Sequence, residues 1–137
     1  MTLSQRFRVV PWLMAVLTAL SAGLIGCASP PSEAARLRIT NGGIVAIENL
    51  TILFPEDEIV FGDIAVGSTT EYRTVPNGVY GYAAYRLVVN GQVMTQPVSD
   101  WVGEKPMPGH SFTYTLDFDP DRQRRQTVQL IGIIRDE

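Results

Sequence analysis

The nucleophiles and titratable side chains of this sequence offer little support for catalysis. His110 is the only histidine, and it lies in a Pro- and Gly-rich segment just before an alternating stretch. No Gly-x-Ser-x-Gly motif occurs, so a Ser-His-Asp assembly has no local support. We interpret His110 as a solvated loop residue, with a ligand or the catalytic base of a hydrolase as the alternative. The protein is predicted not to be an enzyme.

Three carboxylates at alternate positions, Asp117, Asp119 and Asp121, resemble the start of a calcium loop. Arg122 stands where an EF-hand requires Gly, and Val128 where it requires Glu. A strand that ends in an Asp-Pro turn explains the pattern more simply. A zinc site is disfavoured, because a single His and a single Cys do not make a usual ligand set. We predict no metal and no dissociable cofactor.

A second acidic cluster, Glu56-Asp57-Glu58, follows Phe54. Paired carboxylates perform glycoside hydrolysis when they flank a scissile bond. A solvated hairpin tip is the simpler interpretation, and we prefer it.

Polar-tipped aromatic residues are the most promising candidates for binding. They concentrate in one half of the domain, and the candidate set is Tyr72, Tyr80, Tyr82, Tyr85 and Trp101. On a strand, Tyr80 and Tyr82 would share a face, while Tyr85 would point the other way. One face is expected to be core, where Tyr and Trp pack well. An exposed second face would bind a protein partner or a sugar ring.

The elements that position these residues are predicted to be strands. Phe112, Tyr114, Leu116 and Phe118 alternate with polar residues, which indicates one buried and one wet face. Asn90-Gly91 between apolar runs is a strong hairpin signal. The other predicted strands are 36–40, 47–54, 59–61, 69–75, 79–89, 92–95, a Pro-interrupted 97–102 and 127–135, of which the last is expected inside a sheet. Seven or eight short strands without helices predict an all-β, antiparallel sandwich.

The chain begins with a segment of different character. Arg6 and Arg8 precede an uncharged apolar run from Val9 to Ile25, which is the pattern of a secretory signal peptide and is interrupted by Pro11 and Gly23. The run is short for a membrane span, which needs about 20 apolar residues. We predict a signal peptide helix within residues 1–26. An uncleaved apolar anchor is the alternative.

The end of this run, Leu24-Ile25-Gly26-Cys27, resembles the lipobox of bacterial lipoproteins. The resemblance implies cleavage between Gly26 and Cys27, a diacylglycerol on the Cys27 thiol, and a further acyl chain such as palmitate on the new amino group. Each buried methylene contributes about 0.8 kcal/mol, so several chains anchor a protein stably. The covalent lipid is the only prosthetic group that we expect.

The lipobox resemblance also implies a place in the cell. Asp after the lipidated Cys usually retains Gram-negative lipoproteins at the inner membrane, whereas Ala28 stands there in this chain. The expected location is therefore the periplasmic face of the outer membrane in a Gram-negative cell. In another cell type it is the outer face of the cytoplasmic membrane.

The segment after Cys27 is predicted to divide into a tether and one domain. Residues 27–35 are small, polar and Pro-containing, which is typical of a flexible tether. Residues 36–137 form the predicted β-sandwich domain. All 14 acidic residues lie after position 27 with nine of the 11 basic ones, giving a charge of about −5. This balance argues against nucleic-acid binding, which uses a basic face.

The stretch from Phe61-Gly62-Asp63-Ile64 to Gly67-Ser68-Thr69-Thr70 resembles the middle of bacterial Ig-like or fibronectin-like extracytoplasmic modules. That resemblance favours an Ig-like sandwich over a closed barrel. The leading functional hypothesis is a non-enzymatic envelope lipoprotein that supports or recruits a protein partner. The alternative is a small-ligand or glycan receptor that uses the Tyr/Trp face.

Overall fold

The computed structural model of the chain describes residues 33–98, 100–122 and 127–137. The predicted signal peptide helix, the cleavage site at Gly26 and Cys27, and most of the predicted tether lie outside the described residues. Among the residues that the structure describes, no helix has the length and apolar character needed to cross a membrane.

Eight strands form two four-stranded sheets. Sheet A has the order β4-β1-β7-β8, and sheet B has the order β3-β2-β5-β6. The strands are β1 Ala35–Asn41, β2 Ile47–Leu53, β3 Glu58–Ile64, β4 Arg73–Val75, β5 Ala84–Val89, β6 Gln92–Gln96, β7 Ser111–Phe118 and β8 Val128–Asp136. The described part of the chain is thus all-β, as predicted, with its apolar core between two sheets.

The period-two pattern fixes which faces enter the core. The alternating side chains of β7 (Phe112, Tyr114, Leu116 and Phe118) are all buried, which confirms the predicted strand and its inner face. The predicted hairpin at Asn90-Gly91 is also confirmed. Both residues have positive φ, 51° and 76°, and they join β5 to β6 with Val89 opposite Gln92.

The sequence predicts an antiparallel sandwich, and this prediction is wrong for one pair of strands. β1 and β7 pair in parallel, with Arg36 opposite Ser111 and Asn41 opposite Leu116. Between these strands the chain forms β2 and β3 of sheet B, β4 of sheet A, and β5 and β6 of sheet B. It then enters β7 at the end of sheet A where β1 begins. β8 then runs back along β7 until Asp136 lies opposite Ser111. The first and last strands therefore meet the same end of sheet A.

Several strand lengths differ from those predicted. The 69–75 stretch forms only the short β4, with Thr69 bridging Thr40 on its own. The 79–89 stretch begins its strand only at Ala84, because Val79 pairs instead with Met107 in an isolated bridge. The described residues of 97–102 form no strand. β3 is longer than the predicted 59–61, and β1 begins at buried Ala35, one residue before the predicted domain start.

The last strand lies at an edge of sheet A, which overturns the expectation that it is internal. Ile131 and Ile134 of β8 are 57% and 59% exposed. Within the described ranges β8 pairs with β7 alone, so the apolar residues on both its faces mark an open edge strand with an apolar surface, not an interior one.

A buried Asn fixes the corner where β1 ends. Asn41 donates its side-chain amide to the carbonyls of Val45 at 2.9 Å and Ile64 at 3.1 Å, and it accepts the Gly43 N–H at 3.0 Å. A Cβ at Gly43 would lie 2.8 Å from the backbone nitrogen of Phe118. The Asn side chain therefore satisfies the buried backbone groups of this turn, and glycine at position 43 permits the close approach of β7.

Candidate functional site

The five candidate aromatic residues occupy three different places. Tyr72 lies over the outer face of sheet A, Tyr85 lies in the core, and the other three meet beside the 77–83 turn. Tyr80 and Tyr82 are in a loop, not on the predicted strand. The single Tyr/Trp face of the sequence analysis is therefore divided in the structure.

Trp101 unites the loop tyrosines into one aromatic cluster. Its ring stacks on Tyr82 with centroids 5.0 Å apart and a 24° interplanar angle. It also meets Tyr80 edge-on at 5.3 Å, and Tyr80 in turn lies 5.5 Å from Phe54. Tyr80 is buried, whereas Tyr82 and Trp101 are half-buried. The cluster thus joins the core to the surface, and its outer members are available to a ligand.

An open cleft of about 380 Å³ adjoins this cluster. Its walls come from the 81–83 turn, β5, the end of β6, the following residues and β8; the residues used below are Tyr82, Tyr85, Gln96, Pro97, Asp100 and Leu130. We call this feature the Tyr82 cleft. Its volume falls at the small end of the range of about 300–1,000 Å³ that is usual for ligand pockets.

Tyr85 forms part of the inner wall of the Tyr82 cleft. Its side chain is 3% exposed, and its hydroxyl has no hydrogen-bond partner among the described residues. Burial raises the pKa of Tyr85 well above its ordinary value, so the phenol stays protonated. Buried hydroxyls are nearly always hydrogen-bonded, so the unpaired Tyr85 hydroxyl is an exception among the described residues.

Gln96 sets the distance between the two edge strands that border the cleft. Its side-chain amide donates to the Val128 carbonyl at 2.8 Å and accepts the Val128 N–H at 2.9 Å. β6 belongs to sheet B and β8 to sheet A, so this side chain bridges the two layers. The two strands that border the Tyr82 cleft are therefore held together by hydrogen bonds.

The outer rim of the cleft is acidic. Asp100 accepts the Val102 N–H at 2.8 Å through Oδ1, and its carbonyl accepts the Tyr82 hydroxyl. Partial burial, and then the negative charges of Glu104 and Asp100, raise the pKa of Tyr82. The rim therefore combines a fixed aromatic ring with nearby carboxylates.

Tyr72 belongs to a separate polar network on sheet A. Its hydroxyl donates to Asp136 at 2.7 Å, and Thr113 donates to the same carboxylate oxygen at 2.7 Å. The guanidinium carbons of Arg36 and Arg38 lie 4.9 Å and 4.7 Å from the Tyr72 ring centroid. Because these groups satisfy one another, the network ties β8 to β7 and β1. Arg36 and Asp136 also line an open pocket of about 310 Å³ at this end of sheet A.

His110 lies at the same end of sheet A and is exposed. Its ring meets Phe112 edge-on, with centroids 6.4 Å apart, and Arg135 Nη2 lies 2.9 Å from Nδ1. An arginine and an aromatic ring therefore lie beside His110.

The acidic clusters stabilise turns. Arg122 donates to Asp117 at 2.7 Å, and Asp119 accepts the Asp121 N–H at 3.0 Å. Within the described ranges, no group of three or more His, Cys, Asp or Glu is arranged to hold a metal ion.

The Glu56-Asp57-Glu58 cluster is divided between two partners. Asp57 accepts two hydrogen bonds from Asn77, at 3.0 Å from its N–H and 3.1 Å from its amide, while Glu58 pairs with Arg86. Asp57 therefore holds the turn that precedes β3 against the turn at Asn77, whereas Glu58 links the start of β3 to β5.

Two features escaped the sequence analysis: the edge position of β8 and the Tyr82 cleft. Gln96 carried no signal, because its role depends on β8, which is distant in sequence. Apolar residues on both faces of 130–134 were the one available signal for an exposed edge.

Comparisons of the chain with protein-family models, with curated proteins and with solved structures find no match.

Proposed function

We propose that this chain is a lipid-anchored extracytoplasmic lipoprotein whose non-enzymatic β-sandwich binds a protein partner in the cell envelope. The lipobox resemblance at Leu24-Ile25-Gly26-Cys27 supports the anchor, with a covalent lipid on Cys27. The polar tether supports a domain held beyond the membrane surface. We further propose that the sandwich is Ig-like, which its two four-stranded sheets support.

The single observation that carries the partner proposal is the open edge of β8. This nine-residue strand carries no charge from Val128 to Ile134, and Ile131 and Ile134 are more than half exposed. Natural edge strands are usually short, charged, Pro-containing or covered, because open backbone groups otherwise pair with another chain. The occupant that suits this edge is an extended, uncharged segment of an envelope protein, added as a further strand.

Cross-linking in the native envelope tests the partner proposal. A photo-activatable amino acid that replaces Gln129 reports contacts of β8, and one that replaces Val60 reports the β3 edge of sheet B. We expect a cross-link from position 129 to one dominant protein partner. The yield of this cross-link should fall with Cys27→Ser, and the cross-link should disappear with Ile134→Lys.

Val60→Lys is the matched control, because Val60 is also on an edge strand and is 60% exposed. It should leave the cross-link at position 129 intact. No partner at position 129, or cross-links only to a second copy of this chain, would contradict the proposal.

Small-ligand or glycan binding beside Tyr82 and Trp101 is the second candidate function. The observation that favours it is the open Tyr82 cleft, which the partly exposed rings of Tyr82 and Trp101 adjoin. Saturation-transfer NMR on the full chain, with a panel of neutral glycans and small amines, tests it. Absence of transfer to every compound would contradict this function.

A further inference from the structure

The Tyr82 cleft has a marked charge preference. Among the described residues that line it, Asp100 is the only one that is charged at neutral pH, and no Lys, Arg or His is among them. An anionic ligand would therefore meet a carboxylate and, among these described lining residues, no positive charge. A cation would gain from that carboxylate.

A second carboxylate stands close to the same rim. Glu104 N–H donates to the Trp101 carbonyl at 3.2 Å in a turn that brings the Glu104 side chain back toward Gly81. A Cβ at Gly81 would lie 3.8 Å from Glu104 Oε2. Lys105 follows in sequence but does not line the cleft. Two carboxylates of the 100–104 segment, Asp100 and Glu104, thus lie beside the entrance of the Tyr82 cleft.

The aromatic ring at this entrance is held in place. The Tyr82 hydroxyl is bonded to the Asp100 carbonyl, and Trp101 covers one face of the ring. Tyr82 lines the cleft, whereas Trp101 is not among its lining residues. The face of an aromatic ring carries negative electrostatic potential and attracts ammonium groups.

We propose that the Tyr82 cleft binds a small organic cation, with its ammonium group between the Tyr82 ring and the carboxylates of Asp100 and Glu104. The alkyl part of the cation contacts Pro97 and Leu130 on the apolar walls. This inference rests on the second function proposed above, small-ligand binding at this face, and it names the class of ligand. It is independent of the lipid anchor and of the β8 partner.

The test measures binding of tetramethylammonium to the full chain in detergent micelles. Saturation transfer to the ligand methyl protons reports contact, and Trp101 fluorescence in a Trp12→Phe background gives the dissociation constant. tert-Butanol serves as a neutral compound of similar shape, methyl glucoside as a neutral sugar, and acetate as an anion. We expect tetramethylammonium to bind roughly tenfold more tightly than tert-butanol.

Charge-removing variants locate the site. Asp100→Asn keeps an oxygen for the Val102 N–H and, like Glu104→Gln, is expected to weaken tetramethylammonium binding about twofold to fivefold. Glu71→Gln, which removes an exposed carboxylate outside the cleft lining, is the matched control and should leave binding unchanged.

Equal or tighter binding of tert-butanol or methyl glucoside would overturn the cation assignment while leaving small-ligand binding intact. No transfer to any of the four probes would overturn both. Binding of tetramethylammonium that neither charge variant weakens would also overturn the assignment.

Discussion

At the scale of single residues, Asp136 shows how a carboxylate stabilises sheet A. Partial burial raises its pKa, but hydrogen bonds from Thr113 and Tyr72 and the charge of Arg38 outweigh that effect and lower it overall. Its folded pKa therefore lies below its unfolded value. The resulting stabilisation is complete above the unfolded pKa and is lost as the pH falls through the folded pKa.

Asp136→Asn should therefore lower the free energy of unfolding by about 1–2 kcal/mol at pH 7. The difference between variant and wild type should shrink as the pH falls below about 4. Urea denaturation at several pH values measures both effects, with Glu71→Gln as an exposed control. A loss of stability that stays constant down to acid pH would contradict the assigned role.

Two buried tyrosines should respond differently to loss of the hydroxyl. Tyr114 donates to the Tyr80 carbonyl, whereas the Tyr85 hydroxyl has no partner in the described part of the chain. Tyr114→Phe should lower the free energy of unfolding by about 1–2 kcal/mol, and Tyr85→Phe should leave it unchanged or raise it by up to about 1 kcal/mol. Equal decreases in the free energy of unfolding of the two variants, measured by urea denaturation, would show that the Tyr85 hydroxyl is hydrogen-bonded.

At the scale of elements, the β6–β8 bridge should be as important as a pair of ladder hydrogen bonds. Gln96→Ala removes both bonds to the backbone of buried Val128 and should lower the free energy of unfolding by about 2–3 kcal/mol. Gln92→Ala, at an exposed site on the same strand, should change it by less than about 0.5 kcal/mol. Comparable urea midpoints for the two variants would rule out a structural bridge at Gln96.

The elements also show what the sequence can predict. β7 followed directly from its alternation, and the β5–β6 turn followed from Asn90-Gly91, because both signals are local. β8 could not be placed, because an apolar strand satisfies the same pattern inside a sheet or at an open edge. Tyr80 and Tyr82 were assigned to a strand, but Val79 pairs with Met107, and this distant contact turns their segment into a loop.

The sequence predicts some of the residues that form the candidate site but not how they are arranged in space. Tyr82 and Trp101 were selected as polar-tipped aromatics, and they do stack. Their contact joins segments that are separated by nearly twenty positions in the chain, so no local pattern records it. Burial of Tyr85 and exposure of Tyr82 depend on the same long-range packing.

At the scale of the whole molecule, the proposed anchor and the folded domain should be separable. Ala35 begins the first strand, eight positions after Cys27. Cys27→Ser should therefore move the protein from the membrane fraction to the soluble fraction without changing the unfolding free energy of the domain. Fractionation and intact-mass measurement of the lipid check the first part, and urea denaturation checks the second. A variant that stays in the membrane fraction would favour an uncleaved apolar anchor.

The central position of β1 has a mechanical consequence. β1 lies between β4 and β7, and the chain that precedes it leaves from one end of the strand. A pull on that end acts along the strand and loads the bonds to both neighbours together, in shear, so they cannot open one by one. If the membrane holds this end and a partner holds β8, tension passes lengthwise through the middle of sheet A. If both proposals hold, the order of the four strands would make the domain a mechanical link that resists extraction by force.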